Sequence, residues 1–384
     1  MEIFIYNVFM YLMLFLLFLG GRSMERGNSL CSKYVISAIV VFTLNEGLRW
    51  GRGLDYNYYF YAYNDVVAGF EQNFEWLFTF IIRIFGVLKL TWQHFVLFMS
   101  ACLILSSFYF MRHYKSLASW SMPLWAYFSL SAENLMRWYF AFSFILIGLY
   151  YLLKDNKKLF FLFCILGCGI HLGIMVVALL FYLIFLRRTI LCKPVVSLPV
   201  YFALSFLFEL DFMKNLIPLL NIFSFTGRFA NYQENASYWL TGGYAGEAAS
   251  LGISFILFYI MVDITGYYAI RSSSDRKLIY AYNLFIFSFM LLPIWFKIEI
   301  LHRMFELSFL FVAIITAYVI KTVPLKNIKH GSLITSFGFW LTFLNFSRVV
   351  IIQNVEIDKY HCLYVWDKKG QDVLDVGIYY LNKQ

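Results

Sequence analysis

The chain has 384 residues and a formal charge of +9; 61% of its residues are hydrophobic, 22% aromatic and only 14% charged. So few charges cannot cover the surface of a water-soluble domain of this length, so composition excludes one and makes lipid the solvent. The basic residues come in small clusters between apolar runs, which points away from a nucleic-acid surface and toward membrane topology.

The first apolar run, 3–21, carries its basic flank, Arg22 and Arg26, behind it, opposite to the order in a signal peptide, so it reads as a first span. Further spans are predicted at 34–48, 93–111, 117–132, 135–153, 159–171, 173–187, 195–212, 250–270, 278–296, 304–320 and 332–349. Runs of this kind suit α-helices crossing about 30 Å of hydrocarbon. A β-barrel would show short alternating segments instead. The predicted fold is therefore an all-α polytopic membrane protein of about 12 transmembrane helices, a single domain over 1–349 with a tail over 350–384.

The clusters Arg22/Arg26/Lys33, Arg112/Lys115, Lys154/Lys157/Lys158, Arg187/Arg188/Lys193, Arg271/Arg276/Lys277 and Lys321/Lys326/Lys329 fall in every second connection. By the positive-inside rule those connections are cytoplasmic, and both termini and the long segments 49–93 and 213–249 face the other side. Within the first segment, Phe74-Glu75-Trp76-Leu77-Phe78 and the apolar residues up to Arg83 predict a helix lying in the interface. The second, rich in Gly, Asn, Tyr and Ser, reads as a loop. Cys164 and Cys168 stand one helical turn apart with no His or carboxylate companion, which favours packed thiols over a metal pair. The chain has no Walker loop, no dinucleotide-binding glycine motif, no HExxH and no GxSxG.

Arg49, Arg52, Arg137, Arg228 and Arg303 make a set of five arginines on the predicted outer face, where basic residues are normally depleted. Arg49 and Arg52 lie in Glu46-Gly47-Leu48-Arg49-Trp50-Gly51-Arg52-Gly53-Leu54-Asp55-Tyr56, where the glycines allow turns that bring two guanidinium groups onto one anion. Asp55 can hold a guanidinium or accept a sugar hydroxyl. The competing reading is a snorkelling anchor with a local salt bridge. Arg137 opens the fifth span, with Glu133 one turn earlier as a local partner; Arg228 and Arg303 complete the set. Forked guanidinium groups suit phosphate oxygens, and a diphosphate offers enough of them for several arginines. His171, between two short spans, titrates near neutral pH, and a structural histidine competes with a general base there.

These residues resemble the Wzy-type polysaccharide polymerases, most closely the EpsG-like branch that elongates bacterial exopolysaccharide, capsule or O-antigen. The likeness rests on Arg49, Gly51, Gly53, Asp55, Tyr56 and Tyr59 after the second span, on Phe74-Glu75-Trp76-Leu77, on Asn134 and Arg137, and on His171, with Arg228, Tyr232 and Arg303 as further outer residues. Arg137 is followed here by Trp-Tyr-Phe where the family pattern has a glutamine and small residues.

The resemblance implies a GT-C-like membrane glycosyltransferase in the bacterial inner membrane. It would polymerise polyprenyl-diphosphate-linked oligosaccharides on the periplasmic face, with no cofactor or metal and with a flippase and a chain-length regulator as partners. It implies Arg49, Arg52 and Arg137 on the diphosphate beside Asn134, Arg228 and Arg303 as supplementary donors, His171 or Asp55 as the base, and Tyr56, Tyr59 and Tyr232 as sugar-stacking rings. A flippase for the same lipid-linked glycan and an O-antigen-type ligase are the alternatives.

Overall fold

The computed structural model describes residues 2–52, 55–129, 135–209, 253–297, 303, 306–322 and 364–366. Their regular elements are helices, and they group into two compact units, one formed by 1–182 with 346–384 and the other by 183–345.

The first unit begins with α1 (Glu2–Glu25) and α2 (Lys33–Gly47), the latter started by Ser32, whose hydroxyl accepts from the amide of Val35. Two helices then occupy the first outer segment: α3 (Tyr56–Ala68) and α4 (Trp76–Val87). The predicted interfacial helix corresponds to α4. No helix is predicted at α3, because its apolar character is carried by tyrosines interrupted by Asn57, Asn64 and Asp65.

A longer helix, α5 (Trp92–Met111), runs through a 3-10 turn, Arg112–Leu117, into α6 (Ala118–Phe128). The break is at Tyr114, whose backbone leaves helical geometry at φ −121°. Trp125 donates its indole N–H to Ser107 Oγ at 2.9 Å. In a straight helix those residues would stand about 27 Å apart, so the chain doubles back and α6 lies against α5. The unit continues with α7 (Met136–Leu152), α8 (Lys157–Ile170) and α9 (Ile174–Leu186), which crosses the unit boundary.

Phe4–Glu25 and Trp92–Phe128 are the two described stretches long and apolar enough to cross a membrane, and shorter apolar helices of 10–17 residues accompany them. All described helices other than α3 and α4 fall on predicted spans. The twelfth, 332–349, lies outside the described residues.

The ends of the first unit differ chemically. At one end Glu25 accepts from both the amide and the hydroxyl of Ser119, while Arg112 and Lys115 face Met24, Gly27 and Asn28 across a groove. At the other end, Tyr6 of α1 packs against Arg52. Tyr6 and Met24 are separated by about 27 Å along α1, close to the thickness of a hydrocarbon layer.

The second unit contains α10 (Pro194–Glu209), α11 (Ile253–Ile270), α12 (Arg276–Met290), α13 (Leu292–Lys297) and α14 (Phe309–Thr322). Its core holds a buried carboxylate, Asp263, which accepts from Ser197 Oγ at 2.6 Å and Tyr282 Oη at 2.8 Å. Buried Asn283 accepts from the amide of Leu191 and donates to the carbonyl of Thr189, fixing the turn before α10. Asp263 and Asn283 are thus matched by hydrogen bonds inside this apolar interior, as buried polar groups must be where water is not at hand.

Candidate active site

The site grows from the C-terminal end of α2. Gly47 allows that end to sit against α5, since a β-carbon there would stand 2.8 Å from the Cα of Leu97. After it the chain turns through Gly51, whose φ of +67° suits glycine, and brings Arg52 back toward the helix it has just left. The carbonyls freed at the helix end are taken up locally. Gln93 Nε2 donates to the carbonyls of Gly47 and Arg49, and the Tyr56 hydroxyl stands 3.4 Å from the Arg49 carbonyl and 3.3 Å from Gln93 Oε1.

Both arginines are 3% exposed. Arg49 Nη1 pairs with Glu46 Oε2 at 3.3 Å, one turn back. Arg52 donates from Nη2 to the Asn45 carbonyl at 2.5 Å, and its guanidinium lies between two rings, Tyr6 at 5.1 Å and Tyr364 at 5.0 Å. Asn45 joins the two arginines' surroundings: its Nδ2 donates to Glu46 Oε1 at 2.8 Å, and its Oδ1 accepts from the Tyr364 hydroxyl at 2.7 Å. An antiparallel bridge between Arg49 and Tyr364, with the Val365 amide donating to the Leu48 carbonyl, sets residues 364–366 on this nest.

Between residues 45 and 52 the segment carries two arginines and one glutamate, a positive excess held out of bulk water. Charges in that setting are stable only when hydrogen-bonded and paired, and they act on an incoming anion far more strongly than exposed ones would. Arg49 and Glu46 also wall a small cavity with Ser100, Met136, Tyr139 and Phe140, about 20 Å³ in volume and large enough for roughly one water.

A second cluster forms where α4, α7 and the α8–α9 turn meet. Arg137 Nη1 pairs with Glu75 Oε2 at 2.9 Å, and its guanidinium lies over Phe74 at 5.0 Å and Phe78 at 5.8 Å. The other oxygen of Glu75 accepts from the amide of Leu172 at 3.0 Å, so one carboxylate holds both the arginine and the turn. His171 is extended, ending α8, with its ring edge-on to Trp138 at 5.0 Å. Its Nδ1 accepts from the amide of Gly173 at 3.1 Å, which leaves Nε2 to carry the proton of the neutral ring. The Arg137 pair is more open than the first, its side chains 16% and 13% exposed.

The expected site residues are thus distributed unevenly. Arg49, Arg52 and Tyr56 share the nest; Arg137 and His171 share the second cluster. Asp55 is half-buried at the N-cap position of α3. Tyr59 packs on Phe74 and Phe78, beside the Arg137 rings. Tyr56 is completely buried with its ring against Trp50 and Trp92, a strut under Arg49, and burial pushes its hydroxyl up to about 12, so it stays a donor. Arg303 is half-buried in the second unit. Asn134, Arg228 and Tyr232, with Glu133, lie outside the described residues.

Among the residues that hold the expected ones, Tyr6, Asn45, Glu46, Glu75, Gln93 and Tyr364 are absent from the sequence expectations as site residues. Glu75 had a signal, since it stands in the acidic and aromatic motif, but Glu133 was the nearer carboxylate in the chain. Tyr364 had none.

Compared with known proteins, residues 32–361 match the model of the EpsG family. No curated protein and no solved structure matches the chain. Both clusters fall inside the matched range except Tyr6 and Tyr364, which lie on either side of it.

Proposed function

Because this chain belongs to the EpsG family of polysaccharide biosynthesis, we propose that it is a membrane-embedded glycosyltransferase that polymerises polyprenyl-diphosphate-linked oligosaccharide repeat units. The reaction takes place on the periplasmic face of the bacterial inner membrane, with both termini on that side and about 12 spans in all. The single observation that carries this reading is the pair of buried arginines, Arg49 and Arg52, held about one hydrocarbon thickness from the basic turns.

In this scheme a hydroxyl of the acceptor repeat attacks the anomeric carbon of the donor. The new glycosidic bond forms as the bond from that carbon to the diphosphate oxygen breaks, and the polyprenyl diphosphate leaves with the bonding pair. Arg49 and Arg52 meet the charge that gathers on the leaving diphosphate, a role that is strongest for donors fixed in advance in a dry site. Arg137 exchanges Glu75 for a phosphate oxygen as the donor enters, and Tyr59 lies along the sugar path.

The proton of the attacking hydroxyl goes to Asp55. His171 serves as a donor to the diphosphate from Nε2, because its bare nitrogen is engaged by Gly173. Purified protein in lipid, given the native lipid-diphosphate-linked repeat and no nucleotide sugar, is expected to produce a ladder of multimers that Arg49→Ala abolishes. Folded, donor-binding wild-type protein that makes no ladder would point to transport or ligation instead.

A further inference from the structure

The segment that closes the arginine nest comes from a part of the chain that neither the apolar pattern nor the family match covers, since the match ends at residue 361. Tyr364 is 1% exposed although it lies 319 residues from Asn45, its hydrogen-bond partner. Three independent contacts fix it: the hydroxyl on Asn45 Oδ1, the ring on the Arg52 guanidinium opposite Tyr6, and the backbone bridge to Arg49. Phe9 and Trp366 pack on the same ring at 5.5 Å and 4.7 Å.

An arginine between two aromatic faces keeps its plane, and with it the direction in which its edge N–H groups donate. Asn45 has one amide to satisfy Glu46 and one carbonyl to receive Tyr364; without the hydroxyl, that carbonyl is buried and unmatched, and the amide can turn away from Glu46. Arg49, which pairs with Glu46, feels that turn in its own position.

We propose that Tyr364 is a positioning residue of the diphosphate site, holding Arg52 by its ring and Arg49 through Asn45 and Glu46. The docked segment 364–366 is thereby a standing part of the working enzyme. This rests on the reading of the nest as the diphosphate site.

The test has two arms. In a background without the native cysteines, Leu48→Cys with Val365→Cys is oxidised mildly, since residues facing each other across an antiparallel pair lie within disulfide reach. The cross-link is expected to form in folded protein, found by mass spectrometry of the joined peptides, and the locked enzyme is expected to retain polymerisation. No cross-link overturns the docking, and a locked enzyme that is silent until reduced makes the tail a plug and overturns the proposal.

In the second arm, Tyr364→Phe and Tyr364→Leu are compared for binding of polyprenyl diphosphate in nanodiscs, alongside thermal unfolding. Tyr364→Phe keeps the ring and is expected to weaken binding about tenfold; Tyr364→Leu loses both contacts and is expected to weaken it further, with unfolding temperatures close to wild type. Unchanged affinity per folded molecule in both variants overturns the positioning role. A cross-link that forms in the double-cysteine protein, together with wild-type protein that does not bind polyprenyl diphosphate, sinks the diphosphate reading and the clamp's role in it, while leaving the docking established.

Discussion

The two arginine clusters of the first unit solve different problems with the same side chain. Arg49 and Arg52 are enclosed, each 3% exposed, and fixed by partners from the chain's beginning, its second helix and its tail. Arg137 is partly open and held by a carboxylate, Glu75, that also grips the α8–α9 turn. An enclosed cation is set before any substrate arrives, whereas a half-open ion pair can trade its partner for another anion. The first arrangement suits stabilising charge that develops during reaction; the second suits admitting and releasing a charged ligand.

The strongest way to break this contrast is to change Arg49. Arg49→Lys keeps the charge but loses the fork, and we expect polymer formation in reconstituted membranes to fall at least about 100-fold, nearly as far as for Arg49→Ala. Retained activity in the lysine variant would mean that charge alone suffices. Next comes Arg52→Lys, which cannot stack flat between Tyr6 and Tyr364; a fall of about 30-fold in kcat/KM is expected, measured by initial rates of multimer formation.

A smaller loss, about tenfold, is expected for Glu75→Gln, which keeps the hydrogen-bond geometry while removing the ion pair. Because Glu75 and Arg137 act together, Glu75→Gln combined with Arg137→Ala should cost no more than Arg137→Ala alone; additive losses in that cycle would separate the two residues. The smallest effect belongs to His171→Gln, a few-fold, because glutamine can still donate. With Asp55 as base, Asp55→Asn is expected to abolish polymer formation, measured by the same initial rates. A loss in His171→Gln as deep as in Asp55→Asn would transfer the role of base to the histidine.

Much of the fold was legible because lipid imposes a simple rule: apolar runs bounded by basic turns become helices, and α1, α2, α5 and α7 follow their predicted spans closely. The rule fails where the segment leaves the hydrocarbon. In α3 the ring faces of tyrosines provide the apolar surface, and hydropathy undervalues them.

The two clusters were legible where basic residues break the charge pattern expected of the predicted spans, as at Arg49, Arg52 and Arg137, and illegible where they depend on pairing across the chain. Sequence offers Glu133 to Arg137 because it is one turn away, yet Glu75 fills that place from another helix. Asn45 reads as one more polar residue at a span's end until Tyr364 is seen to meet it.

The two rings that face Arg52 also set a condition on biosynthesis. Residue 6 leaves the ribosome ahead of every described helix after α1, and residue 364 follows only after all of them have been made. The helices can enter the bilayer in order as they emerge, but the guanidinium remains covered on one face alone until the tail arrives. A nascent or prematurely terminated chain would therefore occupy the membrane with that guanidinium half covered and the nest unfinished.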